Sequence, residues 1–245
     1  MKVNVLGSGA TSPSSRRACA SYLVDEKYLF DIGPGSYMNL MKAGLDQNMI
    51  NAVFISHLHG DHVYDLGVFL WGMATRERKE KLLVYGPKGI AALISHVLSD
   101  ANTPVSFLKF DIETVEVSAG DTIHGGSVQT AMGEHAAYDL IYRMGDFCYT
   151  GDTRPVLATA TLAKGCKMLL HESSFPARLE KEAHTYWHST SVDAARIAAM
   201  ADVENLILVH ISPVQEVNAA EMLEEAKENF HGRVMLASDL AEFLF

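Results

Sequence analysis

Cysteine is scarce in this 245-residue chain: Cys19, Cys148 and Cys166 are odd in number, widely spaced and without a CxxC pair. A disulfide framework and cysteine-only metal ligation are excluded on that count. Long apolar runs are also missing. The opening "MKVNVLGSG" reads as a short strand and a turn, too short for the core of a secretion signal. No stretch reaches the roughly 20 apolar residues of a membrane helix. The expectation is a soluble cytoplasmic protein. Positive charge is in deficit, with 20 Lys and Arg against 30 Asp and Glu and a net charge of −10. Such a chain has no overall basic field for phosphate backbones, which argues against a broad nucleic-acid surface but leaves room for a small phosphate substrate.

Repeats, low-complexity tracts and long linkers are lacking as well. The hydrophobic content of 48% suffices for a sizeable core, and the expected organisation is one α/β domain over residues 1–245. In "KVNVLG" the apolar residues alternate, and "SYLVDEKYLFDIG" reads as a hairpin turning at Asp25 and Glu26. "AVFIS" is a buried-looking strand. Residues 62–76 fit a helix with Val63, Leu66, Leu70 and Met73 on one face. "LLVYGP" is a strand followed by a helix near 88–99, and residues 105–150 read as a β-meander. In the last third, "MLLHE" and "NLILVHIS" are strands. Helices are expected near 190–201, opened by a Thr190–Asp193 capping box, and near 218–230. "LGSGATS" lacks the third glycine of a dinucleotide loop and the Gly-Lys-Ser/Thr of a P-loop, so it reads as a tight turn.

What the chain has in abundance is histidine, 11 residues. "FISHLHGDH", residues 54–62, packs three of them and an aspartate behind a strand. On an extended segment alternate side chains point the same way, so His57 and His59 can converge on one cation. Asp61 and His62 point elsewhere, toward a second. Zinc suits this mixture of imidazole and carboxylate, and manganese or iron would also be accepted. Strand ends offer more donors of the right kind: His135, with His124 as a rival in the same segment, Asp152 after "FCYTG", and His210 after "NLILV".

This order, HxHxDH followed by a lone His, an Asp in a Gly-Asp-Thr turn and a final His, resembles the metallo-β-lactamase superfamily. The resemblance implies a four-layer αβ/βα sandwich with two divalent metals at one edge. It also implies that His57, His59 and His135 hold one metal, that Asp61, His62 and His210 hold the other, and that Asp152 bridges them. "LLHESSF" at 169–175, "HSTSVDAARIA" at 188–198, "LGSGATSP", "LLVYGP" and "LASDL" are similar to the ribonuclease Z branch. From that likeness, Asp61 would accept a proton from the attacking water, His188 would protonate the leaving oxygen, and Glu172 would orient His188. The Ser-Thr after His188 favours it over the nearby His184. Asp31 and His171 are candidates to stand behind ligand histidines. Arg16, Arg17, Ser189 and Thr190 are candidates for contact with a substrate phosphate.

Ribonuclease Z carries a long tRNA-gripping arm between the lone His and the bridging Asp. Here 16 residues separate His135 from Asp152, which leaves room for a plain hairpin only. The β-CASP nucleases insert a domain before the final His, and the 57 residues between Asp152 and His210 are already assigned. The expected activity is therefore a dinuclear metal phosphodiesterase acting on a small phosphodiester, a cyclic nucleotide or a short RNA end. The alternatives are a tRNA 3′ endonuclease without the arm, a thioester or lactam hydrolase, and a non-catalytic metal-binding regulatory subunit. A homodimer is a possible assembly, with Phe69 and Trp71 on the helix at 62–76 as its face.

Overall fold

The computed structural model describes residues 1–104 and 106–245. The first sheet is built from β1 (Lys2–Gly7), β2 (Ser21–Val24), β3 (Tyr28–Phe30), β4 (Ala52–Phe54), β5 (Leu82–Gly86) and β6 (Ile112–Glu116), in sequence order. The last strand of the chain, β14 (Glu242–Leu244), returns to pair antiparallel with β1, setting Lys2 opposite Leu244. The second sheet runs β7 (Thr122–Ile123), β8 (Val128–Met132), β9 (Leu140–Met144), β10 (Phe147–Tyr149), β11 (Met168–Glu172), β12 (Asn205–Val209) and β13 (Arg233–Leu236), also in sequence order. The hairpin β2–β3 turns where the pattern places it, with Asp25 and Glu26 at φ 49° and 59°.

Two-residue alternation assigns each strand's side chains to one of two layers. Phe54 of β4, Leu170 of β11, and Ile207 and Val209 of β12 point into the space between the sheets. They pack there with Phe30, Tyr142, Phe147 and Tyr149. The alternate residues point outward. Val53 meets helices α1 (Ser36–Lys42), α3 (Leu66–Thr75) and α4 (Ile90–Asp100) through Leu40, Leu70 and Ile94. On the other side Leu169 and Leu206 meet α5 (Leu157–Leu162), α7 (Ser191–Ala201) and α8 (Ala219–Asn229) through Ala160, Ala198 and Ala226. The result is an αβ/βα sandwich. Two short helices, α2 (Gly60–Val63) and α6 (Glu180–Thr185), lie outside these layers in the loops near the site.

Three expectations are corrected. The helix at 62–76 is two helices, because the chain breaks at Tyr64–Asp65, where the Asp65 amide donates to the Ile32 carbonyl. The meander at 105–150 spans both sheets. β6 pairs parallel with β5, and only from β7 onward does the chain belong to the second sheet. Phe69 is fully buried in the core, so of the two aromatics named for a dimer face only Trp71 reaches the surface, at 36% exposure. The three cysteines are buried and unpaired. Among the described residues no helix is long and apolar enough to cross a membrane.

Candidate active site

The site lies where the strands of both sheets end. Parallel sheets collect their functional groups at the carboxyl ends of strands. Here β4 delivers His57 and His59, β10 delivers Asp152, β11 ends on Glu172, and β12 is followed by His210. Asp61 and His62 lie in α2, for which His59 is the N-terminal cap residue in extended conformation. Several non-glycine residues around the site adopt left-handed backbone: Thr11, Asp31, Trp187 and His210, with φ between 55° and 66°. Such conformations are held only where the surroundings over-determine them. Gly151 is forced. Its φ is +60°, and a Cβ there would collide with the Asp139 carboxylate.

Two sets of donor atoms converge. His57, His59 and His135 form one, and Asp61, His62, Asp152 and His210 the other, each with its donor atoms within 4.8 Å of one another. In the first set His135 Nε2 faces His59 Nδ1 at 3.2 Å. In the second, His62 Nε2 faces His210 Nε2 at 3.2 Å, and Asp152 Oδ1 is 3.3 and 3.1 Å from the two. The other oxygen of Asp152, Oδ2, is turned to the first set, 3.7 Å from His57 Nε2 and 3.9 Å from His135 Nε2. Asp152 thus sits between the sets with one oxygen toward each. Ligands on a tetrahedral zinc lie about 3.3 Å apart for bonds of this kind.

The buried atoms test whether a cation fits. His57 Nε2 and Asp152 Oδ1 are fully buried and have no hydrogen-bond partner. Orphaned buried polar atoms of this kind call for a missing partner such as an ion. His62 Nδ1 lies 2.7 Å from Asp31 Oδ2, so a proton held there leaves Nε2 as a lone pair directed at the His210 ring. Imidazole and carboxylate donors pointing inward, with their far sides occupied, are the donor set of a dinuclear metal site.

The far-side contacts come from remote segments. Asp31 accepts hydrogen bonds from Ser56 N, Ser56 Oγ and Tyr149 OH as well as facing His62. Asp139 Oδ1 is 3.1 Å from His57 Nδ1. Ser174 Oγ is 3.0 Å from His210 Nδ1, and the Trp187 carbonyl is 3.1 Å from His135 Nδ1. Burial pushes the Asp139 carboxyl well above the usual range, and the nearby Asp152 adds to it. At Asp152 burial works in the same direction, but His210 and His62 outweigh it and hold the carboxyl well below that range.

His188 and Glu172 form a pair at the cavity wall, with Nδ1 to Oε1 at 2.8 Å. Burial opposes a charge on His188, yet the Glu172 carboxylate lifts it to about 9. Glu172 is itself fixed by Thr153 N, Ser189 N and the amide and hydroxyl of Ser174. With His59, Asp61, His135 and Asp152, His188 lines a cavity of about 320 Å³.

Other residues named from the sequence are placed elsewhere. His171 follows the outward parity of β11, and its Nδ1 meets the Glu172 carbonyl at 2.6 Å, so it stands behind no ligand histidine. Arg17 is buried and donates to Ser8 Oγ and the Ala237 carbonyl. Arg16 pairs with Glu216 at 3.1 Å. Thr190 caps α7 in a capping box with Asp193, and the Ser189 hydroxyl donates to the Thr153 carbonyl. None of these four lines the cavity. His124 sits against Tyr28, Phe54 and Tyr85, and His184 contacts Asp193. Sequence reasoning missed Asp139, Ser174 and the Trp187 carbonyl. The one signal for Asp139 was an acid directly before a strand, two residues before Ile141.

Fold and site together define a class, a metal-dependent hydrolase of the phosphodiesterase and nuclease type. The chain belongs to the metallo-β-lactamase superfamily, whose model, described as a beta-lactamase superfamily domain, matches residues 26–211, and it falls in the ribonuclease Z-like branch. The ribonuclease Z of Ignicoccus hospitalis is 32% identical, with 97% of this chain and 96% of that protein covered. That alignment runs over 292 positions, more than the 245 residues here, so the relative carries residues without a counterpart in this chain. Among solved structures, human tRNase Z, short form (ELAC1), matches at TM-score 0.82 and 24% identity over 100% of this chain and 99% of that one. The metallo-β-lactamase fold protein YhfI from Bacillus subtilis matches at TM-score 0.83 and 21% identity over 99% and 98%.

Proposed function

We propose that the chain, acting as one domain over residues 1–245, hydrolyses a small phosphodiester, a cyclic nucleotide or a short RNA end. The observation that carries this reading is the joining of two inward-facing donor sets by Asp152, beside the hydrogen-bonded His188–Glu172 pair. His57, His59 and His135 would hold one cation; Asp61, His62 and His210 would hold the second; Asp152 would serve both. Zn2+ fits the imidazole-rich set best, with Mn2+ or Fe2+ as substitutes. When bound, two such cations supply Lewis-acid stabilisation of phosphoryl charge and lower the pKa of water.

The chain's own groups supply the rest. The Thr11 amide donates to Asp61 Oδ2 at 2.6 Å and orients that carboxylate to accept the attacking water's proton. The Glu172 carboxylate favours the protonated form of His188, which would give its proton to the leaving oxygen. Glu172 fixes the ring that does so and stabilises its charge. The cavity of about 320 Å³ is of small-ligand size. β9 and β10 form a hairpin where the tRNA-gripping arm would begin.

The test is hydrolysis of bis(p-nitrophenyl) phosphate by metal-analysed protein. Turnover should require about two metals per chain. Bound metal without hydrolysis of any ester would overturn the reading in favour of a regulatory subunit. A second reading, tRNA 3′-end cleavage without the arm, is favoured by the relatives named ribonuclease Z. Cleavage of precursor tRNA at micromolar enzyme or below would establish it over the small-substrate reading. Two further features belong to the proposal: a cytoplasmic location, and a homodimer through the exposed Tyr64, Val68 and Trp71 of the α2–α3 region. A sedimentation measurement of mass decides the latter.

A further inference from the structure

The segments that carry His135, Asp152 and His188 meet behind the first donor set, and a stacked pair of side chains joins them. The guanidinium carbon of Arg154, two residues past Asp152, lies 3.9 Å from the centre of the Trp187 ring. The edges of the same guanidinium are also used. Its Nε donates to the His184 carbonyl at 2.7 Å and its Nη1 to Glu134 Oε1 at 3.0 Å. The backbones are tied as well: Arg154 N donates to the Glu134 carbonyl, and Trp187 N to the His184 carbonyl. Glu134 directly precedes His135, and Trp187 directly precedes His188. One arginine therefore links three segments, each of which supplies a group to the site.

Trp187 is an unusual residue for its backbone. Its φ is 66°, a left-handed value that glycine adopts freely and a bulky side chain resists. An outlier of this kind points to a functional constraint. Here the constraint is at the carbonyl, which lies 3.1 Å from His135 Nδ1. A carbonyl only accepts, so His135 holds its proton on Nδ1. Its Nε2 then carries the lone pair and faces His59 and Asp152. The Trp187 ring is 37% exposed, so core packing does not hold it on both faces. The face that is covered is covered by Arg154, a cation–π contact. The Arg154–Glu134 ion pair lies at the surface and contributes little by itself.

We propose that Arg154 and Trp187 are positioning residues for the cation of the first donor set: their stack keeps the left-handed turn at Trp187, and with it the carbonyl that fixes the tautomer and direction of His135. The inference rests on the two donor sets of the proposed function and on no substrate, so metal binding alone tests it. Metal-free protein is titrated with Zn2+ by calorimetry beside Trp187→Gly, Trp187→Phe and Arg154→Lys. Glycine removes the ring but accepts the backbone, phenylalanine keeps an aromatic face, and lysine keeps the charge without the planar fork. A His59→Ala variant, which removes a donor of the first set, identifies the step that belongs to it. Affinity for that cation should fall about tenfold or more in Trp187→Gly and in Arg154→Lys, and Trp187→Phe should restore most of it. The cation of the second set should bind as before in all three. Equal weakening of both cations would show a stack that only supports the fold, and would overturn the proposal. Fluorescence gives a second reading. In a Trp71→Phe background Trp187 is the sole tryptophan, and its emission should change with the equivalent that fills the first set and not with the other. Emission indifferent to that equivalent would contradict the proposal. Native protein that binds fewer than two zinc ions would remove the two-set reading and the proposal with it. Two ions bound, with the first-set affinity unmoved by any change at 154 or 187, would overturn the proposal alone.

Discussion

The two donor sets differ in depth. In the set of Asp61, His62, Asp152 and His210 all but Asp61 are buried, and it is tied to both sheets through Asp31 and Ser174. The set of His57, His59 and His135 opens to the cavity through the exposed His59 and the half-buried His135, with only His57 buried. One is packed like a core and the other like a binding site. Interaction in a buried environment is screened less by water, so the deep set should hold a cation as part of the structure, while the shallow set should hold one as part of the reaction. Among the described residues, Asp152 is the one with an oxygen toward each set.

Removing Asp152 should therefore erase the distinction. Asp152→Ala is expected to lose at least about a thousandfold in kcat/KM on bis(p-nitrophenyl) phosphate and to weaken both metals in an equilibrium titration, as expected when two cations act as a unit. A variant that kept one tight metal and most of its activity would break the comparison.

Replacing the carboxyl groups behind the histidines should sharpen it. Asp31→Asn acts behind His62 and Asp139→Asn behind His57, and each should weaken the cation of its own set about 10- to 100-fold while sparing the other. Isothermal titration of each variant gives the two affinities. Equal weakening of both cations in both variants would show that the sets are not separable. Timed chelation of the native protein follows the same logic. One equivalent should leave quickly from the shallow set and the second slowly, read as a plateau near one metal per chain by elemental analysis. A single-step loss would count against a deep and a shallow set.

A smaller effect is expected at Glu172. Burial pulls His188 toward its neutral form, and Glu172 lifts it to about 9. The protonated form needed for the leaving group is present below that pKa and lost above it. Glu172→Gln removes the lifting charge, so the alkaline limb of the kcat/KM profile should move to lower pH by about a unit or more. A limb that stayed in place would show that His188 is not the acid.

Four of the seven donors were legible because they lie in one hexapeptide, and alternation on a strand orients them. His135, Asp152 and His210 were legible because each follows an extended run. Of the residues behind them Asp31 was named, at the end of an extended run, and it does face His62. The others were not: Asp139 reaches His57 from the other sheet, and the Trp187 carbonyl carries no side-chain signal at all. His171 illustrates an avoidable error. In β11 adjacent residues point to opposite faces, so His171 and Glu172 cannot both reach the site, and the inward parity of Met168 and Leu170 assigns the place to Glu172. The division of residues 105–150 between two sheets was illegible for another reason. β6 and β7 both look like exposed alternating strands, and nothing in the intervening turn marks a change of sheet.

The most direct test of the account is a zinc titration of metal-free protein, with hydrolysis of bis(p-nitrophenyl) phosphate followed at each addition. The account predicts little turnover through the first equivalent, as the deep set fills, and a rise through the second. Full activity at one equivalent would contradict the two-set centre. Protein that takes up two equivalents and still hydrolyses nothing would contradict the phosphodiesterase.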